Sequence, residues 1–332
     1  MQSAMPKPGH GTARQLWCVE PGRYEVRQAP LGAMPDDGLT LRTIVSAVSR
    51  GTERLVFEGA VPVSEHQRMR APLQRGEFPF PVQYGYQSVG RVEAGPEKWL
   101  GRLVFALHPH QDVYVLPAAS VVAVPEGIPP ERAVLTANME TALNAMWDAG
   151  AGPGDRITIV GGGVVGLLLT ALAAGLPGAE VTLVDIRPDR AALAEALGAA
   201  FALPDTVRDD ADIVFHASAS EAGLRTALAA GGFEARIVEV SWYGDHAPSV
   251  PLGEAFHSRR LQLIGSQVGA VSPLRRPRWP HARRLAKALD LLHDARLDRL
   301  VTHVVPFDKA PSRLPSLLAG GEDALAILLD YR

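Results

Sequence analysis

The stretch ITIVGGGVVGLLLTALAAG, residues 157–175, decides the fold. It reads as a strand, a glycine turn and a helix. Gly161, Gly163 and Gly166 have the spacing Gly-x-Gly-x-x-Gly, with Val164 and Val165 opening the helix. Alone, that spacing is a weak signal, because glycine also closes ordinary tight turns. Its meaning depends on the residues beyond the turn.

The context fits a dinucleotide site. Gly161 lets the chain turn sharply after the strand, Gly163 lets the backbone approach a pyrophosphate, and Gly166 lets the helix pack closely on the sheet. The helix N-terminus offers free N–H groups and partial positive charge to the phosphates. The next strand ends VTLVD, which puts Asp185 nineteen residues past Gly166. A carboxylate there accepts hydrogen bonds from the adenosine ribose and repels a 2′-phosphate, favouring NAD over NADP. Arg187 and Arg190 argue the other way, since arginine can hold a 2′-phosphate. Ser218, Ser241, Trp242, Ser266 and Gln267 follow strand ends, the crevice edge where such sheets bind cofactors. Loop packing is the competing account of each.

Around this core the chain alternates strands and helices, the signature of a doubly wound parallel sheet. Expected strands are 156–160, 180–184, 211–216, 235–240 and 261–264, with helices at 164–174, 188–197 and 221–230. The first third is different: it is rich in glycine and proline, with short β-like runs at 39–48, 88–94, 102–107, 113–116 and 121–124. That texture predicts a compact β-barrel-like domain. Residues 1–14, with Pro6, Pro8, Gly9, Gly11 and no apolar run, read as a flexible leader rather than a signal peptide. Beyond 280 the sequence shows no further alternation.

The totals narrow the function classes. A chain of 332 residues, 47% hydrophobic and 21% charged, suits a soluble globular protein with two domains. A formal net charge of -3 supplies no broad attraction for nucleic acid or anionic membrane. The longest apolar stretch is too short to span a bilayer. Cys18 is the only cysteine, so no internal disulfide and no four-cysteine zinc site can form in one chain, and a reducing cytoplasm is the expected setting.

The glycine turn, SRGTE (49–53), YGYQSVGRV (84–92), GRLVFALHPHQ (101–111), ETALNAMWDAG (140–150) and FHSRRLQLIGSQ (256–267) together resemble the medium-chain dehydrogenase/reductase superfamily. The GTE variant and the ending ILLDYR look closest to its bacteriochlorophyllide dehydrogenase-like branch. The resemblance implies an α/β protein: a GroES-like β-barrel catalytic domain from 15–137 and 270–332, and a Rossmann doubly wound domain over 138–269. The C-terminal segment would return to the barrel-like domain. It also implies a homodimer, through edge strands of the nucleotide domains near Leu261–Ile264.

Departures from that family shape the chemistry. Zinc-dependent members carry Cys-Gly-Ser/Thr-Asp where this chain has Arg50-Gly51-Thr52-Glu53, and Gly-His-Glu where it has Gly85-Tyr86-Gln87. Neither arginine nor a neutral tyrosine is a reasonable zinc ligand, so no zinc is expected. Without a metal, a side chain must take the hydroxyl proton and donors must cover the developing oxyanion. His108 matches a family position that lines the substrate pocket, and imidazole has a proton affinity suited to neutral pH. It could equally be a hydrogen-bonded residue that shapes the pocket. A metal held by His108 and His110 lacks an identified third ligand. Tyr86 could hydrogen-bond a substrate oxygen or be a packed aromatic. Glu140 could orient the nicotinamide ribose, relay a proton, or favour a helix start. Arg50 could supply fixed positive charge or form a salt bridge with Glu53 or Glu140. Arg68, Arg70 and Arg75 could meet an anionic substrate, but read better as a solvated basic loop.

Three functions are open, in this order: a zinc-independent NAD-dependent oxidoreductase acting on a secondary alcohol or its ketone; a quinone or enone reductase; and a nucleotide-bound regulator that has lost the chemistry.

Overall fold

The computed structural model describes residues 11–320 and 322–332. They divide into two compact units. One runs to Ala137 and resumes over Val301–Arg332; the other is Asn138–Leu300.

The second unit is the doubly wound sheet. Its strands are β1 (Arg156–Val160), β2 (Glu180–Val184), β3 (Ala200–Ala202), β4 (Ala211–His216), β5 (Gly231–Glu239) and β6 (Gln262–Gly265). They lie in the order β3-β2-β1-β4-β5-β6, all neighbours parallel. The order reverses direction between β1 and β4, opening the crevice in which such sheets bind ligands. Strands β1 and β4 are near-continuous apolar runs because helices cover both faces of a parallel sheet. Ile157, Ile159, Ile213, Val214 and Phe215 are accordingly buried. Helix Val164–Ala174 follows the glycine turn, and helix Glu221–Ala230 starts at Ser220, whose hydroxyl accepts the Gly223 N–H.

The first unit is β-rich. Strand Gly38–Val48 is its spine, pairing with Ala326–Asp330, Ser88–Ala94 and Val113–Pro117. Leu39 and Leu41 alternate inward along it and join Val92, Val104, Tyr114 and Leu116 in one apolar cluster. A hairpin of Thr12–Glu20 and Arg23–Pro30 forms a second sheet with two short strands.

The structure departs from the sequence reading in several places, among them the unexpected strand Ala200–Ala202 and the start of β5 at Gly231 rather than 235. Residues 12–14 are strand, not leader: Ala13 is buried, and the Arg14 backbone N–H and guanidinium both reach Asp112 at 2.8 Å. Residues 1–10 lie outside the described residues. The tail holds two more strands, Val301–Pro306 and Ala326–Asp330, which pair in parallel. Residues 270–300 fall with the second unit rather than the first, because Arg284 on helix His281–Asp290 is bonded to Glu140 and Asn144. Among the described residues no helix is long and apolar enough to cross a membrane.

Candidate functional site

The glycine turn is tight, and each of its three glycines has its own surroundings. Gly161 has φ +110, a conformation side chains disfavour. A Cβ on Gly166 would lie 1.8 Å from the Gly161 carbonyl oxygen, so helix and strand approach only because it is glycine. Gly163 differs: a Cβ there would meet nothing within 4 Å. Packing does not demand that glycine, and the space above it is open. Gly163 also opens helix Val164–Ala174 with no side-chain cap, leaving the first-turn N–H groups of Val164, Val165 and Gly166 without a capping side chain.

Asp185 stands at the carboxyl end of β2 with its carboxylate fixed from both sides. Oδ2 accepts the Gly162 N–H at 2.6 Å and Oδ1 the Arg187 N–H at 2.9 Å. This ties the acid to the glycine turn and leaves further lone pairs for ribose hydroxyls. The Arg187 guanidinium is bonded to Asp189 at 3.1 and 2.7 Å, and the largely buried Arg190 lies 3.8 Å from the same carboxylate.

Next to this turn is a polar network that the sequence reading found only in part. Strands β4 and β5 end in register at His216 and Glu239. His216 Nδ1 lies 2.7 Å from Glu239 Oε2, and Nε2 lies 2.7 Å from the Ser218 hydroxyl. Glu239 also accepts the Ser241 N–H at 2.8 Å and the Tyr243 hydroxyl at 3.2 Å. Ser241 in turn accepts the Ala219 N–H. Ser218 and Ser241 thus hold the strand-end loops together beside Gly161. The missed signal was an ionisable residue ending each of two adjacent apolar strands. Trp242 is half-buried beside this network. Ser266 is directed to Asp148 at 2.7 Å, and Gln267 caps Gly269.

In the first unit, Tyr86 hydrogen-bonds the side chains of Ser49 and Thr52, while burial pushes its hydroxyl up to about 12. Behind it runs a second buried chain. The Ser46 hydroxyl contacts Tyr331 at 2.9 Å and His110 Nδ1 at 2.7 Å; His110 Nε2 meets Glu53 at 3.0 Å; and Glu53 accepts the Ser49 N–H. His110 therefore uses both ring nitrogens within the protein. Gly85 keeps it there, since a Cβ would lie 2.8 Å from the ring.

The residues at the family's zinc position do not fit the metal. Arg50 carries no lone pair for it and donates to the Ala324 carbonyl at 2.9 Å. Tyr86 is held as a neutral phenol, and Gln87 is buried. Among the described residues no three His, Cys, Asp or Glu side chains converge.

His108 is enclosed, and burial opposes its ionisation. It is 5% exposed, stacked on Tyr114 at 3.8 Å, with Nδ1 2.8 Å from the Pro109 carbonyl. Burial pulls it from 6.5 down to about 3. The unfolded chain then binds a proton between pH 6.5 and 3 that the folded chain refuses, so stability rises with pH across that window. The slope from this group is at most about 1.4 kcal/mol per pH unit. His108→Gln is expected to shrink the loss of stability between pH 6.5 and 4 in urea unfolding; an unchanged loss would show that His108 is protonated in the fold.

Glu140 is part of a buried structural pair. Its Oε1 accepts Arg284 Nε at 2.9 Å, and both side chains are almost fully buried. Burial raises its pKa, and Arg284 opposes the shift. Arg68 and Arg70 are paired with Glu65 and Glu77, in keeping with a solvated loop.

Residues 164–288 match the zinc-binding dehydrogenase family. A zinc-type alcohol dehydrogenase-like protein of Haemophilus influenzae is 26% identical over 231 residues, 65% of this chain and 63% of that protein; the match thus spans less than two thirds of that relative's length. D-guloside 3-dehydrogenase of Escherichia coli is 22% identical over 302 residues, covering 82% of this chain and 86% of that one. The crystal structure of L-idonate 5-dehydrogenase from Escherichia coli superposes with a TM-score of 0.78 at 13% identity, covering 97% and 99% of the two chains. The fold is that of these alcohol dehydrogenase-like oxidoreductases: a β-rich domain and a Rossmann domain.

Proposed function

We propose that this chain is an alcohol dehydrogenase-like oxidoreductase that moves a hydride between NAD(H) and a secondary alcohol or its ketone, without a catalytic zinc. The observation that carries the reading is Asp185, a carboxylate at the carboxyl end of β2 held by the Gly162 and Arg187 N–H groups, where a ribose would be read. A 2′-phosphate would face this anion, while the Arg187 side chain is engaged by Asp189. When bound, the nicotinamide supplies or accepts the hydride. The Gly163 backbone and the helix start would hold the pyrophosphate.

The proton falls to the protein. Tyr86, a neutral phenol backed by Ser49 and Thr52, is suited to donate to a carbonyl oxygen and to protonate the alkoxide that hydride addition creates. A neutral His108, bonded to Pro109 through Nδ1, shapes the surroundings as an acceptor at Nε2. The single buried thiol of Cys18 suits a reducing cytoplasm.

Calorimetric titration with NADH and NADPH, then assays with alcohols, ketones and enones, tests this reading. NADH is expected to bind more tightly, Asp185→Ser to narrow or reverse the preference, and elemental analysis to find substoichiometric zinc. Tighter NADPH binding with enone reduction would move the chain to the double-bond reductases. Nucleotide binding without turnover of any substrate would favour a regulator. One zinc per chain, lost together with activity, would overturn the metal-free mechanism.

The chain is further proposed to be a homodimer joined through β6, which among the described residues pairs only with β5 and exposes Leu263. Edge pairing satisfies open backbone groups. Light scattering at micromolar concentration should give twice the chain mass, and a monomer mass would refute it.

A further inference from the structure

Most arginines of this protein face a carboxylate; four in one segment do not. Arg275, Arg276, Arg278 and Arg283 are exposed and, among the described residues, none has an acidic partner. Two of them stack on indoles. The Arg283 guanidinium lies 3.9 Å from the centre of the Trp279 ring, and that of Arg275 lies 5.3 Å from Trp147. The two indoles meet at 4.9 Å and 57°. The result is a ladder of Arg275, Trp147, Trp279 and Arg283 with Leu274 exposed beside it.

Stacking fixes a guanidinium plane but leaves its N–H edge directed outward, which is the geometry of bidentate carboxylate or phosphate recognition. The internal bonds of these arginines use few donors. Arg276 Nε reaches the Val271 carbonyl, and Arg283 Nη1 reaches the Arg278 carbonyl. The segment is also anchored. Buried Arg284 bonds Glu140, Asn144 and the carbonyls of Val268 and Ala270, and Asn144 accepts the Ser272 N–H. A basic loop that is only solvated needs no such support.

Its position indicates the ligand. The segment leaves the carboxyl end of β6, on the same edge of the sheet as Gly161–Gly163 and Asp185. A dinucleotide with its adenosine ribose at Asp185 extends across that edge from β2 toward β5 and β6. On that reading the reacting end, and the substrate with it, would lie on the side of the sheet from which the arginine segment leaves.

We infer that the Arg275–Trp147–Trp279–Arg283 ladder, with Arg276 and Arg278, binds an oxyanion, carboxylate or phosphate, on the enzyme's own substrate. The assignment rests on the oxidoreductase reading and deepens it: the substrate is an anionic alcohol or ketone, its apolar part facing the indoles.

The test uses the full-length protein with two ketones that differ by one carboxylate, acetophenone and 4-acetylbenzoate. Each is titrated by calorimetry onto the protein with NAD⁺, a combination that cannot react. The same pair is then assayed for reduction with NADH. The anionic ketone is expected to bind about 10- to 100-fold more tightly, the range of a charge-assisted contact. In Arg275→Gln/Arg283→Gln the ratio of the two affinities should fall toward one. Arg68→Gln/Arg70→Gln removes equal charge elsewhere and should keep the ratio, which separates a built site from the general field. Equal affinity in the parent protein, or a preference that survives the Arg275/Arg283 double variant, overturns the assignment. So does loss of preference in the Arg68/Arg70 variant. Binding of an oligonucleotide that depends on Arg275 and Arg283, without discrimination between the ketones, would give the patch to a polyanion and overturn it equally. Failure of NAD⁺ to bind in the same cell overturns the oxidoreductase reading and the substrate assignment together. Binding of NAD⁺ without discrimination overturns only the latter.

Discussion

Arg284→Met should lower the stability of the folded chain by about 3–5 kcal/mol, the usual cost of leaving one member of a buried ion pair without the other. Arg284 is 1% exposed and its guanidinium is surrounded by Glu140, Asn144 and two carbonyls. Methionine fills much of the volume but leaves the Glu140 carboxylate with no countercharge in a site that already raises its pKa. Adding Glu140→Gln should recover part of the loss, because the uncompensated charge is gone while the carbonyls stay orphaned. Urea unfolding of the parent, both single variants and the double variant gives the coupling energy. A loss below about 1 kcal/mol in Arg284→Met would mean that Glu140 is hydrated or protonated in the native state.

Tyr86→Phe should lower kcat/KM for ketone reduction about 10²- to 10⁴-fold, with NADH affinity nearly unchanged. The substitution deletes only the hydroxyl that Ser49 and Thr52 orient. His108→Gln should cost far less, because an imidazole held near 3 is neutral throughout the working range. The pH profile carries an independent prediction. Burial holds Tyr86 near 12 and His108 near 3, so neither contributes an ionisation between about pH 5 and 10. Collapse of the histidine variant with survival of the tyrosine variant would return the proton role to His108. Full activity in both would exclude the pair.

The parallel sheet was legible because its signals are local. β1, β2, β4 and helices 164–174 and 221–230 have the bounds read from sequence, since each strand is a mainly apolar run and the helices are bounded by Gly163, Gly175, Ser220 and Gly231. The strands at 12–20, 301–306 and 326–330 were not legible. Thr12–Glu20 begins beside a Pro/Gly-rich stretch, and Val301–Pro306 has exposed alternate residues that give no apolar run. For the site, the glycines and Asp185 can be read from spacing alone. The Glu53–His110 and His216–Glu239 pairs cannot, because their members lie far apart in sequence: His216 and Glu239 meet through strand register, and Glu53, on helix Arg50–Glu58, meets His110 only in the fold. The neutrality of His108 is likewise a product of packing, which no motif encodes.

The interleaved make-up of the first unit bears on the order in which the chain can fold. Strand Ala326–Asp330 lies between Val301–Pro306 and Gly38–Val48. A nascent chain that has reached Leu300 holds every strand of the parallel sheet, whose neighbours are close in sequence. It still lacks Ala326–Asp330, which pairs with Val45–Val48, and Val301–Pro306, which pairs with Ala326–Asp330. On this edge of Gly38–Val48 the Val45–Val48 end stays unpaired until residues 326–330 emerge, whereas Val113–Pro117 already covers Gly38–Arg42, and closing it brings together segments far apart in sequence, the slow kind of contact. Until then Val45, Ala47 and Val48 lie on an open strand, the surface through which partly made β proteins associate wrongly. The ribosome thus delivers the whole parallel sheet before it completes the β-rich unit.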